Sequence, residues 1–547
     1  MKLSGILLFI LILSSFSGPR CAAAVWNSDG TPEDIQQIHD TQAQNGDTIT
    51  IPAGTFTWST GITITKAITL QGAGVGSTII RDDVQSAQLI QWSLPAGLPS
   101  RTTGIEFQDG GRSNWQSDIL LAVGSNTNGS KFRLDHCKWN NLNGASVFDT
   151  VIGVIDHNTF VIDRTGLPIN IYDSYWDGRT LGDGSWVAPT GFGSSQFLFI
   201  EDNTSTHSDA SQKGITDSYG GGRFVVRHNN IFNGLIANHG TESTGRPRGG
   251  RAMEVYNNTF TGTDLNRFVG NVRSGGVLFH DNIISGYWGN SATFALQNFR
   301  NFHVFAPWGG SDGTNAWDVN SPTVFFTGAA AANSANRTVT VSGVNWTTNY
   351  WAGYAIRRTS DVCNSGSTSF SEILSNTSNT ITYVNNALYP GESATSFCAG
   401  DSLEIRKVEH ALDQPGRALG SLITGNPPVR PGGWNNQVTE PCYAWNNTTG
   451  NAQVNFGAGP GVRANEHYFN NTRMPGYTPY IYPHPLVTAQ APPPPTPPPS
   501  ATCSNLQQRL DRLQRRQQQL QRRHRQNQRL NRRIRRLQQQ LQVQHCV

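Results

Sequence analysis

Apolar and polar residues alternate in short runs along most of the chain, and a polar phrase punctuates the runs at intervals. The phrase is two polar or aromatic residues, then Asn, then Thr, Asn or a hydrophobe. It reads Asp156-His157-Asn158-Thr159, Glu201-Asp202-Asn203-Thr204, Arg227-His228-Asn229-Asn230 and Tyr256-Asn257-Asn258-Thr259. It returns as His280-Asp281-Asn282-Ile283, Trp445-Asn446-Asn447-Thr448 and Phe469-Asn470-Asn471-Thr472, and Asp135-His136-Cys137 fits the frame with Cys for Asn. Counted on the third position, the steps are 21 from Cys137 to Asn158, 45 to Asn203, then 26, 29 and 24, and 24 again from Asn447 to Asn471. The step of 45 reads as two turns of about 22 residues, with Ile169-Asn170-Ile171 as the middle strand. One alternating strand and one Asn turn per period predict a solenoid of parallel β-rungs.

Rungs of such a coil stack about 4.8 Å apart, so equivalent side chains lie over one another. An Asn amide both donates and accepts, and a column of Asn can therefore bond along its own ladder. Asn also tolerates the left-handed backbone that a sharp corner requires. Strands are expected at 62–70, 77–80 and 119–123. Ile35 and Ile38 give residues 33–43 helical spacing, which predicts a helix capping the open end of the first rung.

The expected architecture is all-β: a parallel β-helix over 25–320, a small antiparallel β domain inserted at 321–408, and a continuation of the coil over 409–488. Thr338–Val341, Tyr354–Arg357, Thr380–Tyr383 and Leu403–Arg406 carry the alternation of the insertion. Residues 489–502 are Pro-rich and predict a stiff spacer. Residues 503–547 place Leu506, Leu510, Leu513 and Leu520, then Leu530, Ile534, Leu537 and Leu541, at heptad spacing. This predicts a basic Gln/Arg-rich coiled coil that makes a homo-oligomer, with Cys503 and Cys546 at its ends. The same tail suits contact with a polyanion, because 12 Arg face a single acid there, Asp511.

The start of the chain reads as a secretory signal peptide over 1–24: Met1-Lys2, an apolar run from Ile6 to Ile12, then Ala22-Ala23-Ala24. That run is too short to span a bilayer, and no transmembrane segment is expected in the mature chain. Export to the extracellular space or the cell surface permits disulfides, and Cys363 with Cys398 is the expected pair. Cys137 is expected to pack inside as a small apolar residue.

The rungs, the cap and the export signal together resemble the right-handed parallel β-helix proteins of the pectin-lyase-like superfamily, over about 25–320 and 409–485. Phe199-Ile200-Glu201-Asp202-Asn203-Thr204 and Gly221-Gly222-Arg223-Phe224-Val225-Val226-Arg227-His228-Asn229 are similar to phrases of its bacterial secreted members. The resemblance implies a polysaccharide substrate, and it leaves lyase, hydrolase and non-catalytic adhesin open.

Eliminative cleavage of a uronate polymer needs a cation or metal on the sugar carboxylate, a base for the C5 proton and a donor for the leaving oxygen. The stretch 201–254 is densest in such groups. His239, Arg246, Arg248, Arg251 and Arg223 are the expected catalytic residues. Arg227, His228, Glu242, Trp176 and Trp186 are expected to bind substrate. Glu201, Asp202 and Asp217 are a candidate Ca²⁺ set, since that ion prefers several carboxylate oxygens. Arg223, Arg248 and Arg273 are spaced 25 apart, which predicts one cationic row.

Overall fold

The computed structural model describes residues 23–489 and Leu513, except 114–118, 126–128, 143, 163–167, 174–185, 187, 208–213, 241–247, 264–267, 287–293, 298–323, 353, 364–368, 384–395, 407–412, 421–423, 426–427, 430–437 and 460–461. The signal segment to residue 22, the proline spacer and the proposed coiled coil lie outside the described residues, Leu513 apart.

Each rung gives one short strand to each of three parallel sheets, visited in the order sheet 1, sheet 2, sheet 3. Among the described residues sheet 1 has 12 strands, sheet 2 has 11, its last pair antiparallel, and sheet 3 has 10. Inward side chains fill one core that runs the length of the coil, from Ile35 and Ile49 to Phe456 and Val462. The helix α1 (Pro32–Thr41) begins with Thr31 as N-cap and Pro32 in its first turn, and it buries Ile35 and Ile38. Its Gln36 exchanges hydrogen bonds with the backbone of Thr63, and the amide of Thr65 donates to His39 Nε2. The helix thus occupies the exposed edge of the first strand of sheet 3, Ile62–Ile64.

The asparagine ladder is present. The amide of Cys137 donates to Asn158 Oδ1 at 2.9 Å, and Asn158, Asn203, Asn229, Asn258 and Asn282 each donate Nδ2 to the next Oδ1 at 2.8–3.0 Å, ending on Asn447. All six Asn are buried. The left-handed backbone, however, belongs to the residue before each one: His157, Asp202, His228, Asn257, Asp281 and Asn446 have φ of 53° to 57°. The ladder residue supplies the amide, and its neighbour makes the corner.

Three expectations on period are corrected. Asn158 bonds directly to Asn203, and Val154 pairs with Phe199, so the step of 45 is one rung with a long excursion. Ile169–Tyr172 is that rung's sheet 3 strand. The run 62–70 is two strands, Ile62–Ile64 and Thr69–Gly72, separated by a corner. The last repeat slips by two: Ala444 pairs with Asn470, and Asn470 bonds both ways with the backbone of Phe456 instead of joining the ladder.

Among the described residues the insertion is a six-stranded antiparallel sheet with its own apolar core and a Cys363–Cys398 disulfide. After it, Cys442–Trp445 pairs directly with Gly276–His280, so the coil resumes as if uninterrupted. Cys137 and Cys442 are buried free thiols. No helix among the described residues is long and apolar enough to cross a membrane.

Candidate functional site

The outer face of sheet 1 carries a row of polar residues, one per rung. Register aligns Thr103, Asp135, Asp156, Glu201, Arg227, Tyr256, His280 and Trp445. The row is not open to a ligand over most of its length. Residues 473–487 run along it as a strap. Tyr480, Leu486 and Val487 pack on Phe199, Val225 and Val154, and Tyr477 packs on Leu278 and Trp445.

The buried charges hold the strap. Arg133 donates to the carbonyls of Leu486 and Val487, and Arg227 to those of Tyr480 and Ile481. Glu201 takes the amide of His484 at 2.8 Å and pairs with Arg227 at 2.6 Å. Tyr477 donates its hydroxyl to Glu254 at 2.5 Å. Burial raises the Glu201 and Glu254 carboxyls and drives the His484 imidazole down to about 4. Burial alone would also raise Asp135, yet hydrogen bonds from Arg101 and His136 bring it down to about 2.

Most of the expected site residues are therefore structural. Arg227 and Glu201 are buried under the strap. His228 sits at a corner, stacked on Tyr482 at 3.7 Å, and burial lowers its pKa. Asp202 accepts the Tyr482 hydroxyl at 2.8 Å. Arg248 and Arg251 are wholly buried against Trp186, 3.8 and 5.1 Å from its ring. Asp413 receives Arg248 at 3.1 and 3.2 Å, and Glu440 receives Arg251 at 2.5 Å. Both acids come from the segment returning from the insertion, so the two arginines dock that segment on the coil. Trp186 is packing, not a sugar platform. Arg223 pairs with Asp173 at 3.2 Å. Arg223 and Arg248 thus have separate partners, and the equal spacing with Arg273 does not make one cationic row, because rung lengths vary. Glu201, Asp202 and Asp217 do not form the proposed Ca²⁺ set: their carboxylates are committed to Arg227, to Tyr482 and to His239. Arg246, Glu242 and Trp176 lie outside the described residues.

His239 and Asp217 are different. They sit on the outer face of sheet 3, where Asn170 pairs with Asp217 and Asp149 with Tyr172. Continuing the same register carries Tyr172, Tyr219, His239 and Arg273 onto one outward row, a rung apart each. The Tyr172 and Tyr219 rings are 4.3 Å apart. Asp217 Oδ1 meets His239 Nδ1 at 2.5 Å, and the His239 side chain is 22% exposed. This contact turns Nε2 away from the carboxylate. The backbone behind the row is fixed: the amide of His239 donates to Ser218 O, that of Gly250 to His239 O, and that of Arg273 to Asn238 Oδ1.

Beside this row the amide oxygens of Asn170 and Asn271 are buried and have no hydrogen-bond partner among the described residues, and Gln297 shares this condition. Buried acceptors without a donor are costly, about 1–3 kcal/mol each. Sequence reasoning found His239 and Asp217 but gave them unrelated roles, and it missed Tyr219 as part of the row. The available signal was the alternation Asp217-Ser218-Tyr219, which places acid and phenol on one face of one strand.

Comparison with known proteins adds no identification: no family model, no curated protein and no solved structure matches the chain.

Proposed function

We propose that this is an exported β-helix protein that cleaves a uronate-containing polysaccharide by β-elimination at the outward row of sheet 3. Arg273 holds the sugar carboxylate in a charge-assisted fork and so acidifies the proton on C5. His239 Nε2 removes that proton. The electron pair left on C5 forms the C4–C5 double bond, the C4–O bond breaks, and the Tyr219 hydroxyl protonates the leaving oxygen. Asp217 steadies the imidazolium that forms. The observation that supports this reading is the register of Tyr219, His239 and Arg273 on successive rungs, about 4.8 Å apart, with Asp217 bonded to the imidazole. A right-handed coil of the pectin-lyase-like kind and an oligomer joined through residues 503–547, whose basic tail also meets polyanions, belong to the same proposal.

The test is to supply the purified chain with a panel of uronate polymers and follow the absorbance of unsaturated uronate ends. A rise on at least one polymer is expected. New reducing ends without that absorbance would make the protein a hydrolase. A second reading, a non-catalytic glycan-binding fibre, draws on the strap that closes the sheet 1 face. Polymer binding with neither signal would establish that reading instead.

A further inference from the structure

The strap does not close the whole of sheet 1. At its root it leaves a cavity of about 380 Å³ bordered by His280, Asp281, Trp445, Asn446, Asn471 and Arg473. We propose that this cavity is a second, non-catalytic carbohydrate site that takes one uronate unit, its carboxylate on Arg473 and its ring against Trp445. The site is on a different sheet from the His239 row and stands whether or not that row is catalytic.

Three features carry the inference. First, the aromatic wall is held rigidly. Tyr256, His280 and Trp445 form a stack with ring separations of 4.7 and 4.0 Å and interplanar angles of 7° and 6°, and Tyr477 meets Trp445 edge-on at 5.8 Å. Sugars pack their C–H faces on such fixed apolar walls, while a few convergent polar groups choose the orientation. Second, the acid in the cavity is already engaged. Asp281 bonds to His280 Nδ1 through one oxygen at 2.7 Å and to Asn446 Nδ2 through the other at 3.1 Å. His280 Nε2 is in turn 3.3 Å from the Tyr477 hydroxyl, which donates to Glu254. Third, the cation keeps donors to spare, while its charge also acts on Asp281. Arg473 is exposed, and one terminal nitrogen donates to Tyr477 O at 3.1 Å, which orients the guanidinium. Its other N–H groups have no partner among the described residues. The unused hydrogen-bonding capacity of the cavity is therefore on Arg473, whose planar fork matches a carboxylate in geometry.

The experiment is calorimetric titration of the full chain carrying His239→Ala, so that no ligand is turned over, with digalacturonate, dimannuronate and cellobiose. Saturable binding of at least one uronate is expected, with cellobiose weaker by more than about tenfold. Arg473→Gln on the same background should weaken the uronate by more than about tenfold, which corresponds to one lost charge-assisted bond. Its thermal midpoint should not move, because Arg473 lies at the surface. Uronate affinity unchanged by Arg473→Gln, equal affinity for cellobiose, or no uronate binding would each overturn the site. So would loss of binding in Arg273→Gln with retention in Arg473→Gln, which would move the ligand to sheet 3.

Discussion

Two faces of one coil use the same residue types for opposite ends. The outer row of sheet 1 holds Asp135, Asp156, Glu201, Arg227, Tyr256 and His280, and the outer row of sheet 3 holds Asp149, Tyr172, Tyr219, His239 and Arg273. On sheet 1 the charges meet each other and the backbone of residues 473–487, and they are buried. On sheet 3 Tyr219, His239 and Arg273 keep partial exposure. Charge density alone does not mark a site on a β-solenoid. Among the described residues, what distinguishes the two rows is the strap that lies over sheet 1.

The sharpest way to break this contrast is to remove the base. His239→Ala should lower the elimination rate by roughly 10²–10⁴, the usual worth of a positioned general base. The thermal midpoint should stay close to that of the parent. An unaltered rate would take sheet 3 out of the chemistry.

The complementary change is on the covered face. Arg227→Met leaves Glu201 buried without its cation and two strap carbonyls without a donor. A loss of about 3–5 kcal/mol in unfolding free energy is expected from denaturant titration, with the rate per folded molecule unchanged. A variant as stable as the parent would mean that the strap is not held by this pair. Arg248 belongs with Arg227: its burial against Asp413 makes it a stability residue, although its sequence neighbourhood suggested catalysis.

Much of the coil was legible because stacking makes a sequence pattern out of a physical need. A buried amide must be matched on every rung, so the Asn recurs from Asn158 to Asn447, and inward positions must be apolar. The cap was legible from Ile35 and Ile38, and the insertion from its change of alternation. Rung length was not legible. The excursion between Ile169–Tyr172 and Leu198 and the insertion after Leu296 leave the stacking unchanged, because a loop outside the coil costs only its closure entropy, which grows slowly with length. Equal spacings such as those of Arg223, Arg248 and Arg273 therefore carried no register. The strap was the other omission. Residues 473–487 show no repeat, and their pairing with Arg133, Arg227 and Glu201 spans more than 250 positions of sequence. For that reason a row of buried ion pairs read as a groove.

The strap also makes the covered face sensitive to acid. His484 lies near Arg227, Asp156, Arg133 and Lys131, and its backbone amide is on Glu201. Its folded pKa of about 4 is below the ordinary value of 6.5. Between these values the unfolded chain binds the proton and the folded chain does not. The stability this group contributes is therefore complete above pH 6.5 and is lost as pH falls towards 4, in total on the order of 3 kcal/mol. Glu201 and Glu254, whose pKa values are raised, act in the opposite sense, and buried His467 adds to the same loss. The parent is expected to destabilise between pH 6.5 and 4, and His484→Gln should flatten that slope. An identical slope in the variant would assign the acid sensitivity to other groups.

The smallest effect tests whether the amide ladder can be extended by one rung. Cys137 heads the ladder: its amide takes Asn158 Oδ1, and its thiol lies 3.2 Å from Asp135 O. In the rungs below, four ladder Asn send Nδ2 to the carbonyl two residues earlier: Asn203 to Glu201, Asn229 to Arg227, Asn258 to Tyr256 and Asn282 to His280. The thiol contacts the equivalent carbonyl, which also accepts the amide of Gly104 at 3.4 Å, and the amide of Ile105 faces the sulfur. Cys137→Asn would give Asp135 O a full donor and present an amide oxygen to the Ile105 N–H. It should stabilise the chain by about 1 kcal/mol, the net worth of one internal hydrogen bond, less any strain from the added atom. A loss of more than about 1 kcal/mol on thermal unfolding would mean that the first rung is too tight for the ladder to extend. The sulfur would then be there for its shape, not as a substitute that the ladder merely tolerates.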